Sequence, residues 1–245
     1  MQVNPNLIKN HFKKSMEKYN SNAVVQKELA AKLIEELIKF RSNFDNVLEL
    51  GCGTGLLTTR AKEQLNFKNY YANDLIDKSK HYVEKIIPQI SFICGNAQKI
   101  KTSKPVDLII SNAMFQWFKD LTKVSNHYSS MLNKDGIIAF TTFSPDNFCE
   151  IRSLTGLTLE YKSIEQITEE IKEKFKILYS EEFKTILTFK SPLELLAHMK
   201  NTGVNSLTAQ HWTFKEVKDF CDKYKEKYPQ ITLTYSPIII IAQKI

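Results

Sequence analysis

An α/β fold, in which a mostly parallel sheet is covered by helices on both faces, is what this sequence predicts. Three observations lead there. Between about residues 46 and 143, short apolar runs of strand length alternate with stretches of helical periodicity, which implies βαβ units and therefore parallel pairing. The first of these strands leaves into a turn with glycines at alternate positions, Gly51-Cys52-Gly53-Thr54-Gly55. The composition is that of an ordinary globular chain: 245 residues, 42% hydrophobic and 25% charged, with 34 Lys plus Arg against 27 Asp plus Glu for a formal charge of +7.

The elements follow in order. Asn4 can cap a first helix, and Pro5 sits at its first position, where a missing N–H is harmless. Ile8, Phe12, Met16 and Tyr19 then share a face. Asn20-Ser21-Asn22 interrupts, and a second helix runs from about Ala23 to Phe40, with Val25, Leu29, Leu33, Leu37 and Phe40 at helical spacing. Residues 46–50 form a strand, followed by the glycine turn and a helix to about Leu65. Residues 70–73 form a second strand, with a helix from Ile76 to about Ile87. The third strand is 90–94. The fourth is 106–110, with a helix from about Leu121 to Leu132, and the fifth is 136–143.

Beyond that point the alternation stops. A helix fits Ser163 to about Phe175, residues 176–189 read as one bent strand, a helix begins near Ser191-Pro192, and another covers about Phe214 to Tyr228. The strands of this region, 176–189 and 233–241, are expected to complete the sheet edge as an antiparallel pair, with the helices forming a cap. Pro237 lacks a ladder donor and argues for a bulge or an edge position.

Several function classes drop out. The four cysteines, Cys52, Cys94, Cys149 and Cys221, form no CxxC pair, so a zinc ribbon is not expected, and such scattered cysteines behave as small core hydrophobes in a reducing compartment. His11, His81, His127, His198 and His211 show no metal-ligand spacing. No apolar run reaches the roughly 18 residues of a membrane span, and the N-terminal stretch lacks the apolar core of a signal peptide. Most lysines alternate with glutamates, as in Lys172-Glu173-Lys174, so the positive excess is spread as a solvated surface rather than drawn into the stripe of a nucleic-acid binder. A cytoplasmic, monomeric protein with no membrane or nucleic-acid partner is the expectation.

The glycine turn carries the chemistry. Glycine removes the Cβ that would keep a ligand from the backbone, and the helix that follows presents free N–H groups. A dinucleotide site wants G-x-G-x-x-G, but Leu56 stands where its third glycine would be. Glu49 precedes the turn, where a carboxylate repels a pyrophosphate and suits a ligand ammonium. Asp74, 25 positions on at the tip of the second strand, can accept both hydroxyls of a ribose. A nucleoside joined to an amino acid without phosphate is S-adenosylmethionine.

On these residues the segment resembles motif I of the class I S-adenosylmethionine-dependent methyltransferases. The resemblance implies their Rossmann-like fold: a mostly parallel seven-stranded sheet with an antiparallel edge strand and a helical cap. It implies S-adenosyl-L-methionine as cofactor, held by Glu49, Gly51, Gly53, Gly55 and Asp74. Asn96 and Ala97 stand where the family has an Asp-Ala-like pair at the adenine, and Asn112 and Gln116 follow the fourth strand. A single domain over 1–245 is implied, with 1–42 as N-terminal helices covering the active site and 150–230 as cap insertions.

Within that family, Ser111-Asn112-Ala113-Met114-Phe115-Gln116-Trp117-Phe118 is similar to the motif of the malonyl-[acyl-carrier protein] O-methyltransferases of biotin synthesis. So are the N-terminal Phe12, Tyr19, Ala23 and Gln26, the Asn147–Ile151 stretch, Leu154-Thr155-Gly156-Leu157, Gly203-Val204-Asn205 and Leu233-Thr234-Tyr235. Trans-aconitate methyltransferases share the Asn-Ala-x-x-Gln-Trp element, and the matches in the last hundred residues favour the malonyl enzymes. Malonyl-acyl-carrier protein, or malonyl-CoA, is the implied acceptor, and methyl transfer to its carboxylate is the implied reaction. Tyr19, to cover the donor and offer a hydroxyl, and Arg152, to fork onto a carboxylate, are the catalytic candidates. Trp117 is a further lining candidate. Lys9, Lys13, Lys14 and Lys18 form a basic flank suited to an acidic carrier protein.

Overall fold

The computed structural model describes residues 16, 18–203 and 212–245. The expected caps at Asn4 and Pro5, the lysines at 9, 13 and 14, His11, His211 and the Val204-Asn205 pair lie outside those residues.

Seven strands form one sheet in the order β3-β2-β1-β4-β5-β9-β6. These are β1 (Asn43–Leu50), β2 (Asn66–Asp74), β3 (Ser91–Cys94), β4 (Val106–Ser111), β5 (Leu132–Phe143), β6 (Phe175–Glu182) and β9 (Pro237–Lys244). The first five pair in parallel, and β9 runs antiparallel to both β5 and β6. Alternation along each strand feeds two cores. Val47, Ile110, Ile239 and Ile241 pack on one face with Leu29 and Leu33 of the helix Val24–Leu37. Leu48, Ile109, Ile238 and Ile240 pack on the other with Phe140, Ile167 and Ile171. Both faces are therefore buried, which is why these strands read as continuous apolar runs.

The antiparallel strand sits one place in from the edge rather than at it. Ile238 to Ile241 are fully buried, and such a run needs a neighbour on each side. Pro237 fits as the first residue of that strand, opposite Phe143, and neither bulges it nor marks an edge. The expected bent strand and the expected terminal strand each divide in two. β7 (Thr185–Thr188) and β8 (Thr232–Tyr235) pair as a separate antiparallel ribbon that continues β6 and β9. The break comes at Ser236, whose amide donates to Asn147 Oδ1 and whose carbonyl accepts from the Ser144 amide, so the loop after β5 takes the groups a ladder would use.

Helix starts follow their side-chain caps. Asp120 caps Leu121–Met131, Ser191 and Pro192 open Pro192–Asn201, and capping boxes at Ser163-Gln166 and Thr213-Glu216 open Ile164–Ile171 and Phe214–Lys227. The helix Val24–Leu37 starts after a break at Ala23 and stops three residues before Phe40. A helix the sequence did not announce, Cys149–Thr155, is tied to β8 by buried Glu150, which accepts from the Thr234 amide at 3.0 Å and its hydroxyl at 2.6 Å. Among the described residues no helix is long and apolar enough to cross a membrane, and the four cysteines are unpaired.

Ile240 tests the placement of β9, because it is fully buried between Phe140 of β5 and Ser180 of β6. Ile240→Ala is expected to cost about 3–5 kcal/mol in denaturant unfolding, through lost burial and an unfilled cavity. A cost under about 1 kcal/mol, as expected of an exposed edge site, would contradict this placement.

Candidate functional site

The carboxyl ends of β1, β2, β3 and β4 open on a cavity of about 300 Å³. Parallel sheets bind ligands there because the loops leaving the strands diverge. The cavity floor is the glycine turn. Gly51, Gly53 and Gly55 have φ of +66°, +52° and +84°, a left-handed region where side chains are strained. At Gly51 a Cβ would stand 2.8 Å from Met114 Cγ, so the loops after β1 and β4 approach only because that atom is absent. At Gly55 a Cβ would stand 2.3 Å from Ile86 Cδ1, where the helix Leu56–Gln64 meets the helix Ser79–Ile86.

Two acids flank this floor. Glu49 is buried, and its Oε2 accepts from Thr58 Oγ1 and from the Tyr70 hydroxyl, both at 2.6 Å. Burial pushes its carboxyl up to about 7. The Thr58 and Tyr70 hydrogen bonds pull it down, and the Asp74 charge adds to the rise. Asp74 accepts the Gly53 amide on Oδ2 at 2.7 Å and the Ile76 amide on Oδ1 at 2.8 Å. Burial raises its carboxyl as well, against the pull of those amides. Two buried carboxylates in one cavity repel phosphate and favour a ligand that brings positive charge and hydroxyl donors.

The remaining walls come from the loops after β3 and β4. Asn73 Nδ2 ties the β3 loop by donating to the Ile93 and Gly95 carbonyls. Asn96 Oδ1 caps the 3-10 turn Ala97–Lys99 by accepting from the Gln98 amide at 2.9 Å. After β4, Phe115 is stacked on Phe140 with centroids 3.8 Å apart, which anchors the 3-10 turn Phe115–Trp117 in the core and leaves Gln116 and Trp117 on the cavity. Gln116 Nε2 donates to the Ala113 carbonyl, while its buried Oε1 has no partner among the described residues. Asn112 bridges Thr141 and the Gln26 carbonyl.

Of the residues expected from the sequence, Glu49, Gly51, Gly53, Asp74, Asn96 and Ala97 line the cavity, with Asn112, Gln116, Trp117 and Tyr19. Tyr19 stands near Asp74. Burial first, and then that charge, hold its hydroxyl above the usual tyrosine range, so it remains a donor. Gly55 is outside the lining and serves the turn and the helix contact. Arg152 is also outside it: the half-buried guanidinium donates to the Pro145 carbonyl and closes the loop after β5. Lys18 is exposed and does not line the cavity. Sequence reasoning missed Thr54, Lys119 and the segment Leu159, Glu160 and Lys162, which also line the cavity. That segment is extended and irregular, so no periodicity marks it.

A family model described as a methyltransferase domain matches residues 22–209. A malonyl-[acyl-carrier protein] O-methyltransferase of Bacteroides thetaiotaomicron is 35% identical over 258 residues, covering 99% of this chain and 99% of that one. The enzyme so named in Haemophilus influenzae is 32% identical over 247 residues, covering 98% of this chain and 95% of its own. Among solved structures, the N-methyltransferase NodS of Bradyrhizobium japonicum in complex with S-adenosyl-L-homocysteine has a TM-score of 0.54 at 12% identity, covering 89% of this chain and 86% of that one. The YcgJ protein of Bacillus subtilis has a TM-score of 0.61 at 14% identity, covering 87% and 98%. At those identities the structural likeness speaks for the fold alone.

The raised Glu49 carboxyl makes the ligand-free protein pH-sensitive. Folded Glu49 holds its proton up to about 7, against 4.5 for an unperturbed carboxyl, so stability falls as pH rises through that window. Glu49→Gln is expected to stabilise the ligand-free protein at pH 8 by on the order of 2–3 kcal/mol and to flatten the slope, with Asp74 leaving a remainder. Unfolding midpoints across pH 4–8 check this, and a wild-type curve that climbs through the window would refute it.

Proposed function

We propose the reaction of this chain from the family to which it belongs: it is a member of the methyltransferase-domain family and, within it, of the malonyl-[acyl-carrier protein] O-methyltransferases. It moves a methyl group from S-adenosylmethionine to the free carboxylate of a malonyl thioester on acyl-carrier protein, an early step of biotin synthesis. The observation that carries the cofactor assignment is the pair Glu49 and Asp74, buried at the tips of adjacent strands beside a left-handed glycine turn. The pair fits S-adenosylmethionine on chemical grounds. A ligand ammonium relieves the buried Glu49 charge, ribose hydroxyls donate to Asp74, and no phosphate has to sit against two acids.

The cofactor, when bound, supplies an electrophilic methyl on a sulfonium. The residues then have modest work. Glu49 holds the amino-acid end and Asp74 the ribose. Asn96 uses Oδ1 for its own turn, so its Nδ2 is the group that meets a base edge, with Ala97, Gln116 and Trp117 forming the slot around it. Tyr19 offers its protonated hydroxyl to the acceptor carboxylate. No general base is required, because a carboxylate is already ionised at pH 7. In-line attack forms the carbon–oxygen bond as the carbon–sulfur bond breaks, with the electron pair left on sulfur, and the protein contributes alignment and exclusion of water. Lys119 and Lys162, rather than Arg152, are the cations that line the cavity. Lys162 is held by Glu170 at 2.5 Å, so Lys119 is the better counter-charge for the acceptor.

The product ester removes the charge that makes an isolated carboxylate prohibitive in an apolar tunnel, so the reaction suits a primer destined for elongation by apolar-channel enzymes. A cytoplasmic monomer, with malonyl-CoA as a second thioester acceptor and the N-terminal and 150–230 segments covering the site, completes the proposal.

Offering malonyl-acyl-carrier protein, malonyl-CoA and trans-aconitate with methyl-labelled cofactor is expected to give the fastest transfer to the carrier-bound thioester. Faster transfer to trans-aconitate would move the chain to the small-acid methyltransferases. Asp74→Ala is expected to weaken adenosyl-homocysteine binding roughly tenfold or more by calorimetry, as loss of a charge-assisted contact does. An unchanged affinity would remove Asp74 from the cofactor site.

A further inference from the structure

Residues 18–22 form a helical stretch that brings Tyr19 into the lining of the cavity. Side-chain bonds stitch this stretch to its surroundings. Thr54 Oγ1, on the glycine turn, donates to Asn20 Oδ1 at 2.6 Å. Asn22 Oδ1 accepts from Asn201, at the end of the helix Pro192–Asn201, at 3.4 Å. Further along, Asn112 Nδ2 donates to the Gln26 carbonyl at 2.9 Å and fixes the following helix to the loop after β4.

The Thr54–Asn20 bond joins the stretch bearing Tyr19 directly to the glycine turn. Thr54 is 5% exposed and sits between left-handed Gly53 and Gly55, so its hydroxyl has little freedom of direction. Asn20 is exposed, and water is open to its amide as a partner. A solvent-facing amide that nonetheless meets a buried hydroxyl at 2.6 Å sets register more than it adds stability. Its neighbour in sequence is Tyr19, which lines the cavity and whose hydroxyl feels the charge of Asp74.

We propose that Asn20 is a positioning residue for methyl transfer: by accepting from Thr54 it locks residues 18–22 onto the glycine turn and holds Tyr19 over the acceptor side of the cavity. This rests on the methyl-transfer reading above. In-line displacement punishes small misplacements, so loosening the bond that fixes this stretch to the turn shows its effect in the chemical step rather than in binding.

The test uses Asn20→Ala, Thr54→Val (which keeps the shape and removes the donor), Thr54→Ser (which keeps the donor) and the Asn20→Ala/Thr54→Val double variant. Turnover of malonyl-acyl-carrier protein, adenosyl-homocysteine affinity and hydrogen exchange of amides 18–23 are measured on each. Asn20→Ala and Thr54→Val are each expected to lower kcat roughly five- to tenfold, the size of one neutral hydrogen bond. KM for the carrier and cofactor affinity should stay within about twofold, and the double variant should be no worse than the worse single one. Thr54→Ser should recover most of the loss seen with valine, and exchange at 18–23 should rise in both single variants.

Wild-type kcat in Asn20→Ala and Thr54→Val, losses that multiply in the double variant, or a serine no better than valine would overturn the proposal. If the wild-type protein itself turns over no malonyl-acyl-carrier protein, the acceptor reading fails, and the exchange measurement still decides the latch: unchanged exchange in both single variants overturns it.

Discussion

The cavity depends on the bond between the Gly53 amide and the Asp74 carboxylate. A left-handed turn leaves amides without ladder partners, and a buried carboxylate is unfavourable without donors, so each corrects the defect of the other. From that bond the rest of the floor follows. The turn sets the start of the helix Leu56–Gln64, and that helix carries Thr58 to Glu49. Tyr70, on the same strand as Asp74, supplies the second donor to Glu49 and closes the circuit. The two acids are thus held by backbone and neutral hydroxyls rather than by cations, and both keep raised carboxyls. A salt bridge at either place would have satisfied the charge and left nothing for a cationic ligand to relieve.

The parallel half of the sheet was legible because burial on both faces writes itself as apolar runs, and because glycine spacing survives whatever packs around it. Glu49 and Asp74 were legible for the same reason: their places are fixed by strand ends, and strand ends are marked by turns. The last hundred residues were read less well. A single antiparallel ribbon is broken at Ser236 by bonds from the loop after β5, and no local pattern in 232–241 announces a contact with Ser144 or Asn147. Pro237 by itself reads as a bulge or an edge position, whereas the isoleucines behind it dictate an interior place for the strand Pro237–Lys244.

The acceptor side of the cavity shows the same limit. Arg152 has the chemistry of a carboxylate ligand, and only the geometry reveals that its guanidinium is committed to the Pro145 carbonyl. Lys119 and the 159–162 segment reach the cavity through irregular backbone, where neither a 2-residue nor a 3.6-residue period exists to be read. Tyr19 is legible through its motif, but Asn20, which accepts from Thr54, looks in sequence like a helix interruption.

The order of the sheet has a further effect on how the molecule comes into being. β9 lies between β5 and β6, yet it is synthesised after both. Until residues 237–244 leave the ribosome, the two neighbours flank an empty slot with unpaired backbone edges and an apolar interior open to water. Assembly therefore cannot finish vectorially. The centre of the sheet closes only once β9 inserts between strands that precede it in the chain. Chains interrupted before it would leave unpaired the facing edges of β5 and β6 that this strand covers in the folded protein.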